Sequence, residues 1–426
     1  MAESRWAILL CKFSADQSAT LPVDHYKRLF TGAGAGSNNM TNFFSTMSHG
    51  QLDLTNSKVF GWLTIGIKDK AEYDSFDAKH AADPSIPGSR NNLMAVCKQE
   101  AIKQGVPLQN FAGVVICMNG PMDYFGALGG MTAVFDSVNG LRPSVIGQEM
   151  GHGYGLDHSR REGSQADYQD PWDVMSTDGP YEQPDGEYGS IGPGLNASNM
   201  RSRGWLDESR VWKAGSSDFN TTIKLRPLHR RDLPGTLAAD LLGEYLVEYR
   251  IKERWDPGIP RSAVFVHRFE DNHSYVMPGT KGNYDLVTGD KFEIGSALDP
   301  FSSFSQVEVV SIDDANKTAT LNLSHRSRNR GLPDIVGTIV GGVANDGGGW
   351  IIINGHAYRV PPYDPPGIAM LEHLAAYLSA AQIRNVGVRL AARQSAVEGL
   401  EREIFALGAS LSPFRVPAKA PIRGKE

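Results

Sequence analysis

The chain has 426 residues, more than one hydrophobic core usually organises, so two or three domains are expected. Hydrophobic residues at 41% and charged residues at 21% describe a globular protein, and 46 Gly with 24 Pro point to turns and long loops rather than a helical bundle. A formal net charge of −6 with scattered basic residues argues against a nucleic-acid partner, and no apolar run approaches the roughly 18 residues that span a bilayer.

The N-terminal MAESRWAILLCKF lacks the pattern of a signal peptide, reads as a first core strand, and taken alone suggests a cytoplasmic protein. After a loop, Met40, Phe43, Phe44 and Met47 recur at helical spacing, and the Gly50 turn ends that helix. The alternating QLDLTNSKVFGWLTI reads as a hairpin-like strand pair, followed by a long polar loop through SIPGSR. NNLMAVCKQEAIKQG is a helix closing at Gly105, and AGVVICM has the continuous apolar pattern of a strand buried on both faces. GGMTAVFDS alternates again, as an edge strand near the helix that follows. Cys11, Cys97 and Cys117 match neither a disulfide framework nor a zinc knuckle and are expected to be buried thiols.

From about residue 211 the pattern becomes short strands separated by Pro, Gly, Asp and Asn turns: TTIKLRPL, EYLVEYRI, SAVFVHRF, KFEIGS, VEVVSI and TATLNLS. These predict a β-sandwich or barrel-like domain over 211–328. Residues 329–426 hold a hairpin expected at the Asn354-Gly355 pair and two helical segments, one with Leu371, Leu374 and Leu378 on one face. Those helices are candidates for self-association.

The chemistry concentrates in QEMGHGYGLDH, Gln148 to His158. On a helix Gln148, Glu149 and His152 project from one side, since positions i, i+1 and i+4 span roughly 100°. Gly155 can take a positive φ, which lets the chain leave the helix and bring His158 back towards His152. One amide oxygen and two imidazoles then converge, and three protein ligands with an open position suit a catalytic metal. Glu149, outside the ligand set, is the candidate general base. An amide oxygen is a poorer zinc ligand than imidazole, so Gln148 weakens the site without forbidding it. Seventeen residues after His158 stands Met175 in WDVMST, followed by GPGLNASNMRSRGWLD.

Signature, Met-bearing turn and following segment, in this order, resemble the gametolysin family of metzincin metallopeptidases, in some of which Gln replaces the first His. The resemblance is specific over Ser144–Asp207, looser over Phe43–Trp62 and EYLVEYRIKERWDPGIP, and does not reach the C-terminal helices. It implies metal binding by Gln148, His152 and His158, base catalysis by Glu149, and a supporting Met-turn at Met175. Zinc is the first metal expected, and copper is the alternative that Gln148 leaves open. No Tyr stands two residues after Met175, where some metzincins place a phenol near the metal, so Tyr181 is the candidate transition-state stabiliser. Asp157 and Asp173 are expected to orient His158 and the Met-turn.

The expected fold class is therefore α+β. A metzincin-like catalytic domain over 1–210, with a mixed twisted sheet and the active-site helix, precedes the β-sandwich-like domain and the C-terminal segment. The expected function is a metal-dependent endopeptidase acting on protein or peptide substrates, with neither nucleic acid nor membrane as partner. The alternatives are a catalytically silent binding protein on the same scaffold and a β-domain adhesion module. The family resemblance implies an extracellular location.

Overall fold

The computed structural model describes residues 2–18, 20–120, 122, 131–137, 140–176, 180–214, 218–295 and 303–327, and the backbone of three strands between 339 and 360. It is of mixed α and β composition, with several sheets and few helices, in keeping with the α+β expectation. Among the described residues no helix is long and apolar enough to cross a membrane. Two compact units are present, Met1–Ile294 with Ser305–His325, and Gly295–Phe304 with Arg326–Glu426.

In chain order the first unit begins with β1 (Ala2–Glu3), β2 (Trp6–Lys12), α1 (Val23–Phe30), α2 (Met40–Met47), β3 (Leu52–Asp53), β4 (Lys58–Thr64), α3 (Lys70–Ala82), α4 (Ser89–Lys103), β5 (Gly113–Met118) and β6 (Thr132–Asp136). Strands β4, β2, β5 and β6 lie side by side in that order, all parallel. The described sheet is thus parallel where the sequence suggests a mixed one, because helices carry the chain back from β2 to β4 and from β4 to β5. For the same reason residues 51–65 are not a hairpin: β3 pairs with β1, while β4 joins β2 in the larger sheet. Strand β2 shows why its pattern is continuously apolar. Trp6, Ile8 and Leu10 face a core shared with α1, α2 and the site helix, whereas Ala7, Leu9 and Cys11 face a second core under α3 and α4. Helices α1 and α3 fall in stretches that read as loop. Only Tyr73 of α3 is buried, so it has almost no apolar face to read, and its Asp69 cap on Glu72 N–H marks its start. The three cysteines are all buried, as expected.

Next come α5 (Pro143–Gly153), β7 (Arg160–Arg161), β8 (Gln183–Asp185), β9 (Gly189–Ile191) and α6 (Ala197–Ser202). Pro143 opens α5, where its missing N–H costs nothing. From Pro143 to Gly151 the helix is buried, set between β6, α2 and a single 3-10 turn at Val174–Ser176.

The later strands of this unit are β10 (Val211–Lys213), β11 (Phe219–Leu225), β12 (Ala238–Leu241), β13 (Tyr245–Arg250), β14 (Ala263–Glu270), β15 (His273–Val276), β16 (Lys291–Ile294), β17 (Phe304–Asp313) and β18 (Thr318–Arg326). They form a six-stranded sheet ordered β10-β12-β13-β14-β15-β7 and a four-stranded sheet ordered β11-β18-β17-β16. Val247, Tyr249, Val264 and Val266 from the first meet Val307, Val309, Leu321 and Leu323 from the second in one apolar layer. Strand β7 comes from the segment that carries His158, so the six-stranded sheet includes part of the site region.

In the second unit β19 (Ile339–Val343), β20 (Gly349–Ile353) and β21 (His356–Val360) pair antiparallel. Ile353 opposite His356 brackets the Asn354-Gly355 pair, which itself lies outside the described residues, as do the C-terminal helices expected beyond 361.

Candidate metal and catalytic site

Helix α5 carries Gln148, Glu149 and His152 at spacings that share one side. Gln148 and Glu149 are buried, and Oε2 of Glu149 has no hydrogen-bond partner. Burial pushes the Glu149 carboxyl up to about 7, while the Gln148 side-chain hydrogen bond and the more distant Arg90 pull it down. A carboxyl titrating there suits a group that must take up and return a proton near neutrality. Among the described residues this oxygen is buried without a partner, in surroundings that favour the protonated carboxyl over the charged one.

The helix ends in a Schellman motif. Gly155 N–H donates to the His152 carbonyl at 2.8 Å and Leu156 N–H to the Gly151 carbonyl at 3.1 Å, with Gly155 at φ +86°. The reversal brings His158 back so that its ring centroid lies 4.7 Å from that of His152. Each imidazole has a partner on Nδ1. That of His152 donates to the Leu156 carbonyl at 2.9 Å, and that of His158 pairs with Asp167 Oδ2 at 3.0 Å. Nδ1 therefore carries a proton on both rings, and in the neutral form of a ring so held Nε2 presents its lone pair, the tautomer a metal ligand needs. Burial holds His152 below the usual histidine range, which keeps it neutral. Asp167 is held in turn by Arg160 at 2.9 Å; burial raises its carboxyl, but hydrogen bonds from His158 and Arg160 outweigh that and keep it low.

Met175 is buried beneath α5. A Cβ on Gly151 would stand 2.7 Å from the Met175 Sδ, so the thioether fits only because position 151 lacks one. Asp173 Oδ1 accepts from Met175 N–H at 2.8 Å, as the orienting role expected of it requires. Asp157 accepts from the His158 backbone N–H at 2.8 Å, but the imidazole itself is held by Asp167. Tyr181 packs on Trp172, ring centroids 5.4 Å apart, beside Phe265 and Val276. The aromatic ring against His158 is Tyr168, with centroids 4.2 Å apart and a backbone φ of +63°, a strained value for a bulky residue. Neither Asp167 nor Tyr168 belongs to a recognisable pattern in the sequence; an acid and an aromatic nine and ten residues after a candidate ligand are the whole signal.

Among the described residues no three His, Cys, Asp or Glu side chains gather as a metal site. The set expected from the sequence is of another composition, two imidazole nitrogens and one amide oxygen, and of these the contacts bring the two imidazoles together, while the Gln148 side chain is hydrogen-bonded to Glu149. That donor chemistry fits a divalent ion such as zinc, with weaker binding than three imidazoles would provide.

No family model matches the chain, and no curated protein matches it. Among solved structures, two crystal forms of wild-type OgpA from Akkermansia muciniphila align with it at 12% identity. One gives a TM-score of 0.28 over 76% of this chain and 94% of that one, the other 0.26 over 84% and 95%. A likeness this slight says nothing of the chemistry.

Proposed function

We propose that the protein is a metal-dependent endopeptidase of metzincin type, related to the gametolysins, with Gln148, His152 and His158 holding the metal and Glu149 as general base. The observation that carries this reading is the pair of imidazoles in contact, both with Nδ1 occupied, at the end of a helix that also carries a buried carboxyl whose Oε2 is unpartnered. A bound divalent ion supplies a Lewis acid that polarises the scissile carbonyl and makes water more acidic. Glu149 takes the proton from the attacking water and passes it to the leaving amine, the exchange for which a carboxyl near 7 is suited. The buried walls around Glu149 keep competing water away from the proton it holds. Asp167 and Leu156 hold the two rings in one tautomer, and Met175 supports the helix from below. Tyr181, engaged with Trp172, is the weaker candidate for stabilising the transition state.

The test is hydrolysis of casein by the full chain as isolated, after chelation, and after return of zinc or copper, with Glu149→Ala alongside. Cleavage lost on chelation, restored by one metal and reduced about 10²–10⁴-fold in Glu149→Ala is the expected result. A folded protein that binds zinc and cleaves nothing would instead be a binding scaffold.

A further inference from the structure

We propose that His273, on the sandwich, is a positioning residue for His158, so that β15 and its turn form part of the metal site; this rests on the metallopeptidase reading above. The turn between β14 and β15 contains two residues, Asp271 at φ +49° and Asn272 at φ +65°, since Glu270 pairs with His273. Asn and Asp are the residues, after glycine, that tolerate this left-handed pair, and the turn they make aims the start of β15 at the loop leaving α5. Asn272 Nδ2 donates to the Gly155 carbonyl at 3.3 Å, at the residue where the chain reverses. His273 Nδ1 donates to the His158 carbonyl at 2.8 Å, and its Nε2 faces Asp157 Oδ2 at 3.6 Å.

The same strand continues the grip. Tyr275 and Val276 pair with Arg160 and Arg161, and the Tyr275 hydroxyl meets Arg160 Nη1 at 3.3 Å. Arg160 holds Asp167, which holds the His158 ring. His158 is thus fixed twice from one strand, at its backbone through His273 and at its imidazole through Tyr275, Arg160 and Asp167. A backbone carbonyl that loses its buried donor moves or takes water, and the ring attached to it turns with it. His273 touches neither substrate nor metal in this scheme and acts only through His158.

Zinc is titrated into the metal-free full chain against a chromophoric chelator, with the absorption of the cobalt-loaded protein as a second readout and the metal-free melting temperature as a third. His273→Ala is expected to weaken zinc binding about 10–100-fold and shift the cobalt bands. His273→Asn, whose Nδ2 can stand where the imidazole Nδ1 does, is expected to restore both. Unchanged zinc affinity in His273→Ala overturns the proposal, and so does a loss that His273→Asn fails to restore. If His273→Ala does not fold, Asn272→Ala takes its place: weaker zinc binding with an unchanged metal-free melting temperature supports the proposal, and unchanged affinity overturns it. His152→Ala and His158→Ala report on the site itself. Zinc affinity unaffected by both removes the metallopeptidase reading, whereas affinity lost in both and kept in His273→Ala removes this inference alone.

Discussion

Strands β13 and β14 have two buried faces of opposite character. On one, Val247, Tyr249, Val264 and Val266 pack against the four-stranded sheet without a charge among them. On the other, Glu248, Arg250 and His267 are buried with Asp170, Asp173 and Asp256. Arg250 pairs with Asp256 and Glu248 and donates to the carbonyls of Trp172 and Gly194, while Asp256 also holds His229 at 2.9 Å. His267 Nε2 meets Asp170 Oδ2 at 3.0 Å, and Asp173 takes Ser159, Asn199 and Met175 N–H. The apolar face contributes about 1.5–3 kcal/mol per buried side chain, and its contacts are non-directional. The charged face gains little net energy, because desolvation offsets attraction, but its directional hydrogen bonds, which leave His267 Nδ1 and Asn199 Oδ1 without a hydrogen-bond partner among the described residues, restrict how the groups can be arranged. That arrangement holds the Trp172 carbonyl and the Asp173 side chain, three and two residues before Met175. Here the apolar face supplies stability and the charged face supplies position, and the position is that of the turn under the helix that carries the proposed site.

Two truncations separate these roles. Arg250→Ala leaves Asp256 and Glu248 buried with their main cation gone, and is expected to cost about 3–5 kcal/mol in urea unfolding and also to weaken zinc binding. Leu321→Ala, on the apolar side, is expected to cost about 3 kcal/mol while zinc affinity in the surviving folded protein stays unchanged. If both variants lower zinc affinity equally, the division of labour between the faces is wrong.

A third contact between the early and late parts of the unit is neutral, and its response to acid sharpens the contrast. His49 Nδ1 accepts from Asp207 N–H at 3.0 Å and its Nε2–H donates to the Leu228 carbonyl at 3.0 Å, a pairing available only to the neutral ring. Burial lowers its pKa from 6.5 to about 4. A histidine depressed in the folded state adds stability that is complete above 6.5 and is lost as pH falls towards 4, on the order of 3 kcal/mol at most. Metal-free unfolding followed from pH 7.5 to 4 should fall in that window, and His49→Gln should flatten the slope. An unchanged slope would assign the acid loss to other groups.

The local geometry of the candidate site could be read from the sequence, because a helix pattern and its glycine stop place Gln148, Glu149 and His152 on α5 and the reversal at Gly155 within eight residues. Interior strands such as Gly113–Met118 were equally legible, since burial on both faces leaves a continuous apolar run. What could not be read depends on distance. Glu248 and Arg250 look like the solvent side of an alternating strand, and they find partners in other segments, as far off as Ala197 and Trp172. Strand β7, two arginines long, has strand character only because β15 lies beside it. Helix α3 escapes for the opposite reason: it buries so little that no periodicity marks it.

The smallest expected effect concerns the roof of the Met175 pocket rather than its charged floor. Alanine at position 151 improves helix propensity by about 0.5–1 kcal/mol over glycine. Its Cβ, however, would lie 2.7 Å from the sulfur of the fully buried Met175, and overpacking of that kind costs about 1–3 kcal/mol. Gly151→Ala alone should therefore be mildly destabilising. In a Met175→Ala background the clash is gone and only the propensity gain remains, so the same substitution should become stabilising. Urea unfolding of the four metal-free proteins gives the coupling directly, and it should be favourable by about 1–3 kcal/mol. Additive effects would mean that the Met175 side chain does not lean on α5 at Gly151, and the support that this turn gives the site helix would have to come from its backbone, through Asp173, alone.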